Sequence, residues 1–266
     1  MSEVARVFFY SPHPDDETLS AGLALVWYLA HGYEVHVVTM NRGGNGGPLG
    51  SFNGSNVCNW AEHAYTHNPA REGYSPLTPA AIGAARLREC RSAIGAMATV
   101  TPTAGFTAGA LYHHEGGLAD AFGNSPTGVN DVKAIISDFA ASHPNSFHHT
   151  MSYTDDHPDH AACGEGLRQL KLVDPSLANS RFFVSRLYWG PSPPRPADVA
   201  ATPGLAWFNA GSRKAAFDSV LRNRVVKAYS AWSPAAGSYA IGYHQVAGQF
   251  SNNFGPSATI ANLWHA

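Results

Sequence analysis

Residues 4–40 read VARVFFYSPHPDDETLSAGLALVWYLAHGYEVHVVTM, and this stretch decides the fold. Val4 to Tyr10 is rich in β-branched and aromatic residues, which predicts a strand buried on both faces. Ser11 to Glu17 is polar. Thr18 to Ala30 then places Leu19, Leu23, Val26, Trp27 and Leu29 at helical spacing. His31-Gly32 ends that helix, and Glu34 to Met40 reads as a second strand. Two strands joined through one helix predict a parallel pair with a right-handed crossover.

Outward from this unit the pattern changes. Asn41 to Pro79 is rich in Gly, Asn and Pro but carries Phe52, Trp60, Tyr65 and Tyr74. A segment of that length without periodicity reads as a lid or substrate loop, with a mobile surface insertion as the equal alternative. Its start, Gly43-Gly44-Asn45-Gly46-Gly47, reads as a flexible hinge. Helices are expected at Pro79 to Met97, Asn130 to Ser142, His157 to Leu172 and Ser212 to Trp232. Strands are expected within Thr103 to Tyr112 and at Phe147 to Tyr153 and Arg181 to Trp189. Gly190 to Pro203 is a proline-rich connection, and the tail fits no element. The expectation is a single α/β domain over residues 1–266, three-layered with a mostly parallel sheet.

Composition narrows the function classes. A net charge of -2 removes the electrostatic case for nucleic acid or an anionic membrane surface as partner. Three cysteines without paired spacing indicate neither a disulfide framework nor a Cys-rich zinc site. No run of apolar residues is long enough for a membrane span. With Met1 as the start and no charged-then-apolar leader, the expected location is the cytoplasm. The oligomeric state is left open.

Chemistry concentrates in two clusters. Ser11-Pro12-His13-Pro14-Asp15-Asp16-Glu17 follows the first strand, and Asp156-His157-Pro158-Asp159-His160 follows a later strand and opens a helix. In open parallel sheets, ligand sites collect beyond the carboxyl ends of the strands, so both clusters project into one crevice. Two imidazoles and one carboxylate, with a position left for water, make a recognised catalytic zinc set. His13, Asp16 and His160 supply it. Zinc lowers the pKa of water from about 15.7 towards about 7. Asp15 is then the spare carboxylate that accepts the proton, and His157 the spare imidazole that polarises a carbonyl or protonates a leaving amine. Either cluster alone reads as well as a turn leading into a capped helix. Their joint occurrence favours the metal.

Pro12-His13-Pro14-Asp15-Asp16-Glu17 and His157-Pro158-Asp159-His160 closely resemble the two motifs of the PIG-L/LmbE-like deacetylases, from residue 4 to about residue 172. The resemblance implies a Rossmann-like fold and zinc-dependent deacetylation of an N-acetylglucosamine conjugate. It makes His13, Asp16 and His160 the zinc ligands, Asp15 the general base and His157 the oxyanion stabiliser or general acid. Asp159 becomes the support of a neighbouring imidazole. Ala85-Arg86-Leu87-Arg88-Glu89 is similar to the family's arginine helix, which makes Arg86 a sugar contact, with a salt-bridged arginine as the alternative. Many relatives carry a Gly-Glu pair soon after the second strand, whereas this chain reads Thr39-Met40-Asn41-Arg42-Gly43-Gly44, and His113-His114-Glu115 lies near a usual acidic contact. These departures fall on the substrate side. The long aromatic loop suits the glycopeptide-antibiotic subgroup, which acts on teicoplanin-type pseudoaglycones, with Phe52, Trp60, Tyr65 and Tyr74 covering the aglycone. The competing class is a non-catalytic carbohydrate or glycopeptide binder that keeps the metal. A phosphoesterase is disfavoured, because no phosphate-cradling glycine loop with lysine follows the first strand.

Overall fold

A computed structural model of the chain describes residues 4–45, 47–60, 65–185 and 202–266. Strands β1 (Arg6–Ser11), β2 (Glu34–Asn41), β3 (Leu111–Leu118), β4 (Phe147–Met151) and β5 (Arg181–Phe183) pair in parallel, in the order β3-β2-β1-β4-β5. Two short strands, β6 (Ala206–Trp207) and β9 (Leu263–His265), extend the sheet beyond β5 in antiparallel sense. A separate hairpin joins β7 (Trp232–Ser233) to β8 (Ser238–Tyr239).

The helices are α1 (Asp16–Leu19), α2 (Gly22–Ala30), α3 (Gly47–Phe52), α4 (Pro69–Glu72), α5 (Pro79–Met97), α6 (Gly128–Ser142) and α7 (Pro158–Val173). Towards the C-terminus come α8 (Lys214–Val220), a π-turn at Leu221–Val225, α9 (Val226–Tyr229) and α10 (Ile241–Phe254). Side chains alternate across β1, as a pleated strand requires. Phe9 enters a core with α2, α5, α8 and α10, including Leu23, Ile94, Phe217 and Phe250. Phe8 and Tyr10 enter a second core on the opposite face, with Val132 and Ile136 of α6 and Leu167 of α7. Helices therefore cover both faces of a mostly parallel sheet, the expected three layers.

Several boundaries follow from local chemistry. Thr78 caps α5, its side chain accepting from Ala81 N, with Pro79 in the first turn. His157 and Pro158 do the same for α7. Other expectations need correction. The strand expected within Thr103 to Tyr112 begins at Leu111 and runs to Leu118. It is the edge strand of the sheet, half-exposed on alternate residues, so it carries polar residues that hide its periodicity. The first helix is broken: α1 ends at Leu19 and α2 starts at Gly22.

Residues 41–79 hold two short helices rather than none, and the tail supplies α10 and β9. Of the strand expected at Arg181 to Trp189 and the connection at Gly190 to Pro203, residues 186–201 lie outside the described residues. Gly46 of the expected hinge does too. Gly43 and Gly44 are buried. A Cβ on Gly44 would stand 2.2 Å from the Pro79 carbonyl oxygen, so close packing on α5 explains this glycine. Among the described residues no helix is long and apolar enough to cross a membrane.

Candidate active site

The strand order reverses at β1, between β2 on one side and β4 on the other. Both sequence clusters leave the sheet at this switch point, from the carboxyl ends of β1 and β4, where open α/β sheets form their crevice. His13, Asp16 and His160 meet there. Asp16 Oδ2 lies 3.3 Å from His13 Nδ1 and 3.2 Å from His160 Nε2. Tetrahedral ligands about 2.0–2.1 Å from a zinc ion stand roughly 3.3 Å apart, so the spacing fits such an ion.

Outer contacts fix which nitrogens face inwards. His160 Nδ1 is 3.0 Å from Asp155 Oδ2, and His13 Nε2 is 3.0 Å from Asp159 Oδ2. An ionised carboxylate only accepts, so those outer nitrogens carry protons, while the opposite ones face Asp16, where a bound ion would take the place of their protons. Asp159 thus supports His13, and its other oxygen accepts from Gly123 N at 2.7 Å. The charges agree. Burial lowers both imidazoles, yet Asp159 and Asp16 raise His13, while Asp16 and Asp155 raise His160 well above its ordinary value. Burial would raise Asp16, but the two imidazoles hold it well below the carboxylate range. The cluster is organised around positive charge, which a divalent ion also supplies.

His157 is exposed, and its donor atom lies within 4.8 Å of those of His13 and His160. Its Nδ1 accepts from Asp159 N at 3.3 Å, which leaves the neutral ring a proton on Nε2. That arrangement leaves His157 able to donate a hydrogen bond from Nε2 in the cleft, while its donor atom also stands close enough to His13 and His160 to share an ion with them.

Asp15 is buried beside this set with φ at 132°, a backbone conformation rare outside glycine. Glu17 accepts its N–H at 2.9 Å. Burial raises the Asp15 carboxyl and Arg86 pulls it back, leaving it pushed up to about 6. Arg86 lines the cleft, but its guanidinium donates to Asp15 Oδ2 at 3.1 Å, to the Pro14 carbonyl at 3.2 Å and to the Gly43 carbonyl at 3.0 Å. The salt-bridged alternative is the one the structure displays. Gly43 has φ 59°, and a Cβ there would stand 2.0 Å from Arg86 Nη1. Glycine is required for this approach.

The cleft has a volume of about 470 Å³. Away from the histidines its wall mixes the polar Asn45, Asp120, Asn124, Gln245 and Gln249 with the apolar Leu19, Ala121, Pro158 and Val246. Sequence reading missed most of these, and Asp155 and Glu17 as well. Asp155 was within reach as the residue just before the second cluster, whereas Gln245 and Gln249 arrive through a kink at Val246 in α10 that no local pattern signals. The loop aromatics are placed otherwise than expected. Phe52 is fully buried, Tyr74 packs on Trp232 and Tyr239, and none of Phe52, Trp60, Tyr65 and Tyr74 lines the cleft. His113 bonds to Thr39, and Glu115 pairs with Arg42 at 2.9 Å, outside the main cleft.

Fold and site together define an open α/β protein with a His-Asp-His cluster, spaced as ligands of a divalent ion would be, at its topological switch point. The chain belongs to the PIG-L family, described as GlcNAc-PI de-N-acetylase, whose profile matches residues 8–171. It is 27% identical over 197 residues to a 1D-myo-inositol 2-acetamido-2-deoxy-alpha-D-glucopyranoside deacetylase of Mycobacterium sp. (strain KMS). That match covers 71% of this chain and 56% of the relative, so the chain spans about half the length of this relative. Among solved structures, a triple mutant of a deacetylase of the teicoplanin biosynthetic pathway superposes with a TM-score of 0.56 at 17% identity, covering 98% of this chain and 97% of that one. The A40926 pseudoaglycone deacetylase Dbv21 gives 0.54 at 18%, covering 99% and 97%. At these identities the likeness is one of fold.

Proposed function

We propose that the chain is a zinc-dependent amidohydrolase that removes the N-acetyl group of an amino-sugar conjugate. The observation that carries this reading is Asp16 Oδ2 lying between His13 Nδ1 and His160 Nε2, with the Asp15 carboxylate beside them in an open cleft. His13, Asp16 and His160 would hold the ion. When bound, zinc supplies Lewis-acid polarisation and an acidified water.

The chain's own groups do the rest. Asp15, which burial pushes up to about 6 against the pull of Arg86, takes the proton from the attacking water as its carboxylate. Burial and the neighbouring His160 and His13 lower His157, so its ring is neutral and donates from Nε2 to the oxygen that gains charge. The proton then goes to the departing amine. The polar side chains of Asn45, Asp120 and Asn124 on the cleft wall suit sugar hydroxyls, and the mycobacterial relative named above acts on a sugar of this kind. A small amino-sugar conjugate suits these side chains better than an aromatic aglycone, because none of the four loop aromatics lines the cleft.

The test is a mass-spectrometric screen of the zinc-loaded protein against N-acetylated amino-sugar conjugates, from glucosaminyl-inositol to glycopeptide pseudoaglycones. Loss of the acyl group from small conjugates is the expected result. Turnover restricted to glycopeptides would transfer the reading to the larger substrates. Saturable binding without acetate or fatty-acid release would make the protein a binder.

A further inference from the structure

A second cluster of metal-type donors lies apart from the cleft. Cys58 and His67 come from residues 41–79 and His244 from α10, and one donor atom of each lies within 4.8 Å of the others. We propose that these residues form a second, structural site for a borderline-soft divalent ion of the zinc class, which fastens the inserted segment to α10.

The histidines are arranged as metal-bound histidines usually are. His67 Nδ1 lies 2.8 Å from the Glu72 carboxylate, and His244 Nδ1 lies 2.8 Å from the Ala240 carbonyl oxygen. Both partners accept, so both rings carry their proton on Nδ1 and present a lone pair at Nε2. Both Nε2 atoms are sealed from solvent. Cys58 is buried and in no disulfide, and its thiol donates to the Trp60 carbonyl at 3.8 Å, a bond that an ion would replace. A thiolate with two imidazoles selects zinc-class ions over magnesium or calcium. Charge closes as well: the ion's two positive charges meet the Cys58 thiolate and the Glu72 carboxylate, so no net charge is buried. Binding releases the thiol proton to water and involves no redox change. At zinc bond lengths the donors stand roughly 3.3–3.6 Å apart, inside the 4.8 Å within which these three atoms lie.

The position explains why such a fastening is useful. The inserted helices α3 and α4 have six and four residues, too short to persist alone. Asn59 already reaches α10, its N–H donating to the His244 carbonyl and its side chain to the Gln245 carbonyl, each at 3.3 Å. Directly after His244 come Gln245 and the kinked Val246, which line the cleft. An ion at His244 therefore sets one wall of the substrate cleft from behind.

The test uses the full chain, loaded with zinc and dialysed. Elemental analysis is expected to find two zinc ions per wild-type chain, and one in either Cys58→Ala or His13→Ala. With cobalt in place of zinc, a sulfur-to-metal charge-transfer band is expected in wild type and in His13→Ala but not in Cys58→Ala. Zinc-edge absorption of the wild type requires no variant and should show a sulfur shell at about 2.3 Å. Zinc bound only through nitrogen and oxygen, with the same stoichiometry in Cys58→Ala, overturns the proposal. Failure of the cleft site alone would leave the sulfur shell intact, so the two readings fail separately.

Discussion

Asp15 holds a φ of 132°, which for a non-glycine residue costs about 1–3 kcal/mol. Glu17 on its N–H and Arg86 on its carboxylate keep it there. Strain maintained this way holds the carboxylate of the proposed base buried against Arg86, beside His13 and Asp16. Asp15→Asn preserves the shape and removes the base, so kcat is expected to fall by about 10²–10⁴-fold with metal content unchanged. Turnover within twofold of wild type would contradict the role. Arg86→Lys cannot reproduce three directed bonds from a planar fork. If Arg86 positions Asp15, kcat falls on the order of 10²-fold and KM stays near its wild-type value, and Gly43→Ala behaves alike. A rise in KM alone would restore Arg86 as a sugar contact.

Among the elements, α10 depends most on a distant residue. Glu89 of α5 accepts from Ile241 N at 2.7 Å and from Gly242 N at 3.0 Å, bracing the first turn of α10. Glu89→Ala leaves both buried N–H groups without an acceptor, at about 1–3 kcal/mol each. Denaturant melting is expected to show that loss, and an unchanged midpoint would rule the brace out. The same non-locality separates what the sequence disclosed from what it concealed. Helices α5 and α7 were legible because Thr78-Pro79 and His157-Pro158 announce their starts. The convergence of His13, Asp16 and His160, the proposed metal donors, was legible because the chemistry admits few residue types. Strand β3 was concealed by its polar edge, and β9 by an antiparallel pairing that only Phe182, Phe183 and the tail define together. Asp159 as the support of an imidazole was foreseen, whereas Asp155 on His160 and the kink at Val246 were not.

At the scale of the whole molecule, the fold buries titratable groups of opposite tendency. Burial lowers His149 to about 3 and His148 and His265 to about 4. His149 Nδ1 accepts from Arg181 N at 3.1 Å, a bond that protonation would break. The unfolded chain takes up these protons below about pH 6.5 while the native state does not, so this contribution to stability falls with pH. Glu17, pushed up to about 7, and Glu89, pushed up to about 8, act in the opposite sense. A difference measurement separates them. Relative to His149→Gln, wild type should lose about 1.4 kcal/mol of unfolding free energy per pH unit between roughly pH 6 and 4. Parallel pH profiles for the two proteins would show that His149 takes up its proton in the native state.

The parallel sheet brings residues 13–16 and 155–160 to one point, and all the proposed chemistry depends on that meeting. Anomalous diffraction at the zinc edge from crystals of the loaded protein tests it most directly. The expected result is a peak in bonding contact with His13, Asp16 and His160 together. Zinc absent from that position, or bound with the His160 imidazole turned away, would contradict it.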